Sequence, residues 1–186
     1  MITIITCPRP GGVSYIEPLL IEINRQVPNE KLTILKDVPL PNPDNKHIGW
    51  KALEVAANSG EDLLFLEDDV RPIGDSLIDA VNYKVPDDVA FTSLHRNKFH
   101  EPGIHPSRDF TLSQALKIPH RSFDWLLRWP KIHWGDWEFR NGFDTCLAGA
   151  ANNHGWSYEQ SERNYFTHVG KVTCVRISGY YDQSED

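Results

Sequence analysis

Asp62-Leu63-Leu64-Phe65-Leu66-Glu67-Asp68-Asp69-Val70 is the stretch that decides how this chain folds. Four apolar residues run straight into three carboxylates, and Arg71-Pro72 closes the run. A short continuous apolar run bounded by turn chemistry predicts a strand buried on both faces, as in a parallel sheet. Acids gathered at the end of such a strand are costly to bury unless something neutralises them. A divalent cation held by hard oxygen ligands is the simplest neutraliser.

Working outward, the flanking segments alternate between strand and helix. Residues 2–7 are β-branched and end at the breaker Pro8-Arg9-Pro10-Gly11-Gly12, which predicts a first strand. Val13, Ile16, Leu19, Leu20 and Ile23 recur at helical spacing over residues 13–26. Residues 31–36 predict a second short strand, and the proline-rich 39–45 a loop. Ile48, Ala52, Leu53, Val55 and Ala56 share one face of a helix over 46–59, stopped by Gly60. Beyond the acids, a helix over 75–83 and a strand over 89–94 follow. Residues 95–108 read as a long loop carrying His95, His100 and His105. A strand over 110–118, a helix over 121–129 stopped by Pro130, an aromatic loop at 133–137 and a helix over 144–152 come next. Late strands are predicted at 165–169 and 172–177. This alternation implies right-handed crossovers and a mainly parallel sheet.

Length and composition set the outer bounds. A chain of 186 residues suits a single domain, divided into a first half to about residue 94, a second half over 95–178 and an acidic tail over 179–186. No apolar run approaches the roughly 18 residues that span a bilayer. The opening residues lack a basic leader, so a cytoplasmic protein is expected. Cys7, Cys146 and Cys174 are few, odd in number and far apart, which argues against a disulfide framework and a zinc knuckle. The formal charge of −7 is uneven: residues 61–90 are acidic, whereas 94–140 are basic and rich in histidine. That distribution suits a metal site facing an anionic partner, and equally an unevenly charged solvated surface.

A strand ending in acids also occurs in nucleoside triphosphatases, but their phosphate loop is missing. The only Gly-Lys pair, Gly170-Lys171, is followed by Val172, and Tyr165 stands where the loop's first glycine belongs. A receiver domain would carry its acidic pair after the first strand, and here two strands precede the acids.

The surviving pattern resembles a small glycosyltransferase of the GT-A fold. Glu67-Asp68-Asp69 is similar to that family's Asp-X-Asp motif, with Glu in place of the first Asp. Thr6 to Pro10 resembles its nucleotide-binding first loop. Asn45, Lys46 and the helix to Ala57 resemble the helix that touches the nucleoside. Residues 113–119 are similar to the strand bordering donor sugar and acceptor. Residues 165–171 resemble a late His-X-Gly segment. The likeness spans roughly residues 1 to 175, and it implies a Rossmann-like α/β sandwich around a central, mainly parallel sheet.

The resemblance implies a nucleotide-diphosphate sugar, with a UDP-sugar the commonest donor, and Mn²⁺ or Mg²⁺ as the metal. It makes Asp69 a metal ligand with His168. Thr6, Arg9, Asn45, Lys46, Glu67, Asp68 and Lys171 are implied on the donor side. Each has a plainer reading: the acids cap a helix, His168 packs in the core, and Arg9 and Lys171 are surface cations. An inverting enzyme needs a base for the acceptor hydroxyl, and Asp144 and Asp136 are the candidates; a retaining enzyme needs neither in that role. Trp134 and Trp137 flank a loop glycine and suit stacking on a sugar or base, whereas Trp125 and Trp129 suit core packing. The acceptor is a hydroxyl on a glycan or on a modified nucleic acid, such as a hydroxymethylated base. Two other classes stay open: a nucleotidyltransferase of similar architecture, and a non-catalytic carbohydrate-binding module.

Overall fold

The computed structural model describes residues 1–7, 9–37, 48–96, 100–111, 114–133 and 143–170. Seven strands form one sheet in the order β2-β1-β3-β7-β5-β8-β6. They are β1 (Ile2–Thr6), β2 (Leu32–Lys36), β3 (Leu63–Glu67), β5 (Val89–Ser93), β6 (Gly103–Pro106), β7 (Ala115–Ile118) and β8 (Ser157–Gln160). β1 pairs in parallel with β2 and β3, and β5 with β8, while β7 and β6 run against their neighbours. Five of the seven strands therefore point one way. β4 (Val70–Pro72) and β9 (Phe166–His168) form a separate antiparallel ribbon.

The period-2 pleat of β3 explains the layering. Leu63 and Phe65 face one core; Leu64 and Leu66 face another, and all four are fully buried. The first core is closed by α2 (Ile48–Ser59), α4 (Phe123–His133) and α5 (Phe143–Asn153). The second is closed by α1 (Ile16–Gln26) and α3 (Ser76–Asn82), through Leu19, Ile23, Leu77 and Ala80. Helices on both faces of a mostly parallel sheet are the α/β solution that an apolar central strand requires. Gly49 shows how closely α2 and α5 approach: a Cβ there would lie 2.4 Å from the Phe143 ring.

Several expectations are sharpened or corrected. The strand expected over 110–118 is confined to Ala115–Ile118 and is antiparallel, since Phe110 instead packs edge-on against Phe91 and Tyr158. The loop expected over 95–108 contains the edge strand β6, where Ile104 faces solvent and Pro106, which has no N–H to give, sits at the end. The helix expected to stop before Pro130 runs on to His133, held by Phe123 and Leu126 in the core. β4 and β8 were not anticipated, being too short for a periodic signal. Cys7 is disulfide-bonded, and Cys146 is free and buried. The expected loop at 39–45, most of the aromatic loop and the strand at 172–177 lie outside the described residues. Among the described residues no helix is long and apolar enough to cross a membrane.

Lys117, in the middle of β7, is 4% exposed, and its Nζ donates to the Val81 carbonyl at 2.6 Å. Burial pushes its pKa below the ordinary lysine value. A depressed lysine pKa means that the cost of burying the charge is fully present below the folded-state value. It is relieved as pH rises towards the unfolded value of about 10.4. The stability of the wild type relative to Lys117→Met should therefore rise between pH 7 and 10 in urea denaturation. A pH-independent difference would contradict this.

Candidate functional site

The sheet delivers its acids to one edge. β3 ends at Glu67, whose N–H donates to the Gln114 carbonyl at 2.9 Å, and Asp68 N–H donates to Ile5 O at 3.0 Å. Asp68 and Asp69 thus leave the sheet in the turn between β3 and β4, at the carboxyl end of the central strand. Open α/β sheets bind ligands there.

Asp68 is 1% exposed and fully engaged. Arg9 forks onto it, Nη1 to Oδ2 at 2.7 Å and Nη2 to Oδ1 at 2.6 Å, and Thr6 Oγ1 donates to Oδ2 at 2.6 Å. This bidentate geometry is the strong form of a charge-assisted pair. The Asp68 hydrogen bond leads in raising the Arg9 pKa above its usual value. The Arg9 guanidinium also lies 4.8 Å over the Tyr15 ring. Arg71 braces the turn from behind, donating to the Asp68, Val70 and Tyr15 carbonyls at 3.0, 2.6 and 2.5 Å.

Asp69 has a different environment. Its Oδ2 lies 3.2 Å from Arg9 Nη2 and 3.2 Å from His168 Nε2. Its Oδ1 is buried and meets no hydrogen-bond partner among the described residues. Burial alone would raise this carboxyl, but His168 and Arg9 outweigh it, and the pKa falls below the ordinary Asp value. The hydrogen bond that His168 makes to the Asp69 carboxylate raises the His168 pKa in turn.

His168 arrives through the β4–β9 ribbon, where it pairs with Val70 while Val169 N–H donates to Asp69 O at 2.8 Å. Gly170 completes the arrangement. A Cβ there would lie 2.4 Å from Asp69 Oδ2 and 2.9 Å from His168 Nε2, so only glycine leaves this pair its space.

A carboxylate with one oxygen unpartnered among the described residues, an imidazole nitrogen 3.2 Å from its other oxygen, and a glycine beside that pair fit a divalent cation. Asp69 and His168 would hold it. Among the described residues no group of three or more carboxylates, thiols or imidazoles is placed so that together they could hold a metal ion.

Thr6, Arg9, Glu67, Asp68, Asp69 and His168 therefore cluster at this edge, with the half-buried Glu67 at the strand end. Arg9 and Thr6 are turned onto Asp68. Asp144 begins α5, where its Oδ1 accepts the Thr145 N–H at 2.8 Å. The preceding Phe143 packs on Phe65 of β3, with ring centroids 5.0 Å apart. Asn45, Lys46, Asp136 and Lys171 lie outside the described residues. Sequence reasoning assigned no role to Tyr15, Arg71 or His95. Burial lowers the His95 pKa; its Nδ1 lies 2.9 Å from Phe166 O, and it feels the charges of His168 and Asp69. Only the Arg-Pro following the acids could have signalled Arg71.

No family model and no curated protein matches this sequence. Solved structures do. The catalytic domain of Drosophila β1,4-galactosyltransferase 7 in complex with xylobiose matches at a TM-score of 0.53 and 14% identity, covering 91% of this chain and 70% of that one. A glycosyltransferase involved in glycosylating the major capsid of PBCV-1 matches at 0.50 and 14%, covering 87% and 81%. A mutant of the Drosophila enzyme with manganese, UDP-Gal and xylobiose matches at 0.48 and 11%, over 98% and 77%, too loosely to argue from. The first two likenesses establish the GT-A glycosyltransferase fold.

The Arg9–Asp68 pair predicts a thermodynamic signature. Arg9→Met strands a buried carboxylate and should cost about 3–5 kcal/mol. Replacing both partners, as Arg9→Met with Asp68→Leu, should cost less than that single change. Urea denaturation of the three proteins checks this; purely additive losses would mean that the pair is not coupled.

Proposed function

We propose that this GT-A-fold chain is a metal-dependent glycosyltransferase, moving a sugar from a nucleotide-diphosphate donor, taken as a UDP-sugar, to an acceptor hydroxyl. The observation that carries the reading is the Asp69–His168 pair: residues far apart in sequence meet at 3.2 Å, with Asp69 Oδ1 unpartnered and Gly170 keeping the space open. When bound, Mn²⁺ or Mg²⁺ neutralises the charge that grows on the leaving diphosphate. Thr6, Arg9, Glu67 and Asp68 shape the donor side, with Asn45, Lys46 and Lys171 as further donor contacts. Asp144 receives the proton of the acceptor hydroxyl if the reaction inverts, with Asp136 as the alternative base. The Asp144 carboxylate sits in the first turn of α5.

The acceptor we favour is a glycan hydroxyl rather than a modified nucleobase. A net charge of −7 opposes the phosphate contacts that supply most affinity for nucleic acid. The xylobiose held by the Drosophila enzyme and the capsid glycosylation of the PBCV-1 enzyme support the same choice.

Thermal shift with nucleoside diphosphates, with and without Mn²⁺, tests the reading, because a ligand that binds only the folded state raises Tm by mass action. UDP should stabilise in the presence of Mn²⁺, and Asp69→Asn should abolish the effect. Silence towards every nucleoside diphosphate would overturn the proposal. Asp144→Asn should keep the UDP response and lose sugar transfer, each measured directly; transfer retained in that variant would move the base to Asp136.

A further inference from the structure

We infer that the chain carries a second carbohydrate site, a pocket at the sheet edge opposite Asp69 that takes one neutral sugar ring against the indole of Trp156. β7 is antiparallel to both β3 and β5, and β8 is parallel to β5, so β8 runs the same way as β3. Its first residue, Ser157, therefore lies at the edge where β3 begins, away from the acids. α5 crosses between the two edges: it starts beside Asp144 and ends at Asn153, 11 residues or roughly 16 Å later. Where α5 hands over to β8, a pocket of about 260 Å³ opens against the edge strand β6. That volume falls below the roughly 300–1,000 Å³ of sites for drug-sized ligands and suits a single ring.

The platform is preformed. Gly155, at a φ of 76°, turns the chain from α5 towards β8. Trp156 N–H then donates to Ala151 O at 2.9 Å, and the buried Ser107 hydroxyl donates to Trp156 O at 2.6 Å. Trp125 of α4 stacks on Trp156 with ring centroids 6.0 Å apart, and His154 stacks on Trp125 at 4.8 Å. An indole held by its own backbone and by a second indole loses little freedom on binding.

The lining chooses the ligand. The half-buried Trp156 and Ser157 and the exposed Asn152 all face the pocket. A sugar ring offers an apolar C–H face to an indole and a rim of hydroxyls around it. A carboxamide and a hydroxyl both donate and accept, which matches that rim. Among the described residues no Asp, Glu, Lys or Arg lines the pocket, so phosphates, nucleotides and charged peptides find no counter-charge. His105, which also lines it, has its Nε2 2.7 Å from the Glu101 carbonyl. The inference is independent of the transferase reading, because a sugar held here needs neither metal nor nucleotide.

Calorimetry and saturation-transfer NMR on the intact protein test this with xylobiose, maltose and cellobiose as probes. At least one should bind saturably with a millimolar Kd, as expected for so small a contact, and should do so equally well in EDTA. Trp156→Ala should weaken that binding about tenfold or more. Asn152→Ala should weaken it about 2- to 10-fold, and because Asn152 is exposed this variant keeps its fold even where the tryptophan variant does not. A Kd unchanged in Asn152→Ala would overturn the inference, as would the absence of saturable binding by all three sugars. Loss of sugar binding in Asp69→Asn would move the sugar to the other edge and overturn it too. The response to UDP and Mn²⁺ should be the same in Asn152→Ala as in the wild type, so the transferase reading stands or falls separately.

Discussion

The bidentate contact between Arg9 and Asp68 is the constraint around which the functional edge is built. β3 is buried on both faces, so the acids that end it emerge into a region where unpaired charge is costly. Asp68 is held at 1% exposure because the Thr6 hydroxyl at the end of β1 and the Arg9 guanidinium just beyond it satisfy its oxygens. The pair also ties that segment to the β3–β4 turn across more than fifty residues of sequence. Tyr15 beneath Arg9 and the Arg71 bonds to nearby carbonyls stiffen the same corner. At Asp68 the charge is met by the protein's own guanidinium and hydroxyl.

With Asp68 engaged by Arg9 and Thr6, Asp69 is the acid on which the proposed function rests. Its neighbour in sequence faces Arg9, and it faces His168. The β4–β9 ribbon makes that meeting possible, because register sets Val70 opposite His168 and leaves Gly170 directly beside the carboxylate. Three short-range requirements coincide here: a strand too short to show a periodic signal, a histidine at its end and a residue without a Cβ. The strand edge thus treats its two acids differently: Asp68 is bound by Arg9 and Thr6, whereas Asp69 faces His168.

The two cores explain why this edge can be rigid. The faces of β3 are filled by different helix sets, Phe65 against α2 and α5, Leu64 and Leu66 against α1 and α3. Close packing of this kind transmits little slack. Phe143 bridges α5 to β3 and Trp50, and so places Asp144 one residue from a ring fixed in the core.

The sequence by itself determined the layer architecture. The apolar run of residues 63–66 could only be a buried strand, and the helical faces over 16–26 and 48–59 could only cover it, because period and hydrophobicity are local properties. Through its resemblance to the GT-A family it also pointed to Asp69 and His168. What it could not assign was partnership. Whether Arg9 meets a phosphate or Asp68 depends on distances between segments some sixty residues apart, and no local pattern encodes those. The short strands β4, β6 and β8 were invisible for the same reason: they owe their form to neighbours in the sheet, not to their own few side chains. Only the tertiary structure could decide that one acid of the cluster is a buried anchor and the next keeps an oxygen without a partner.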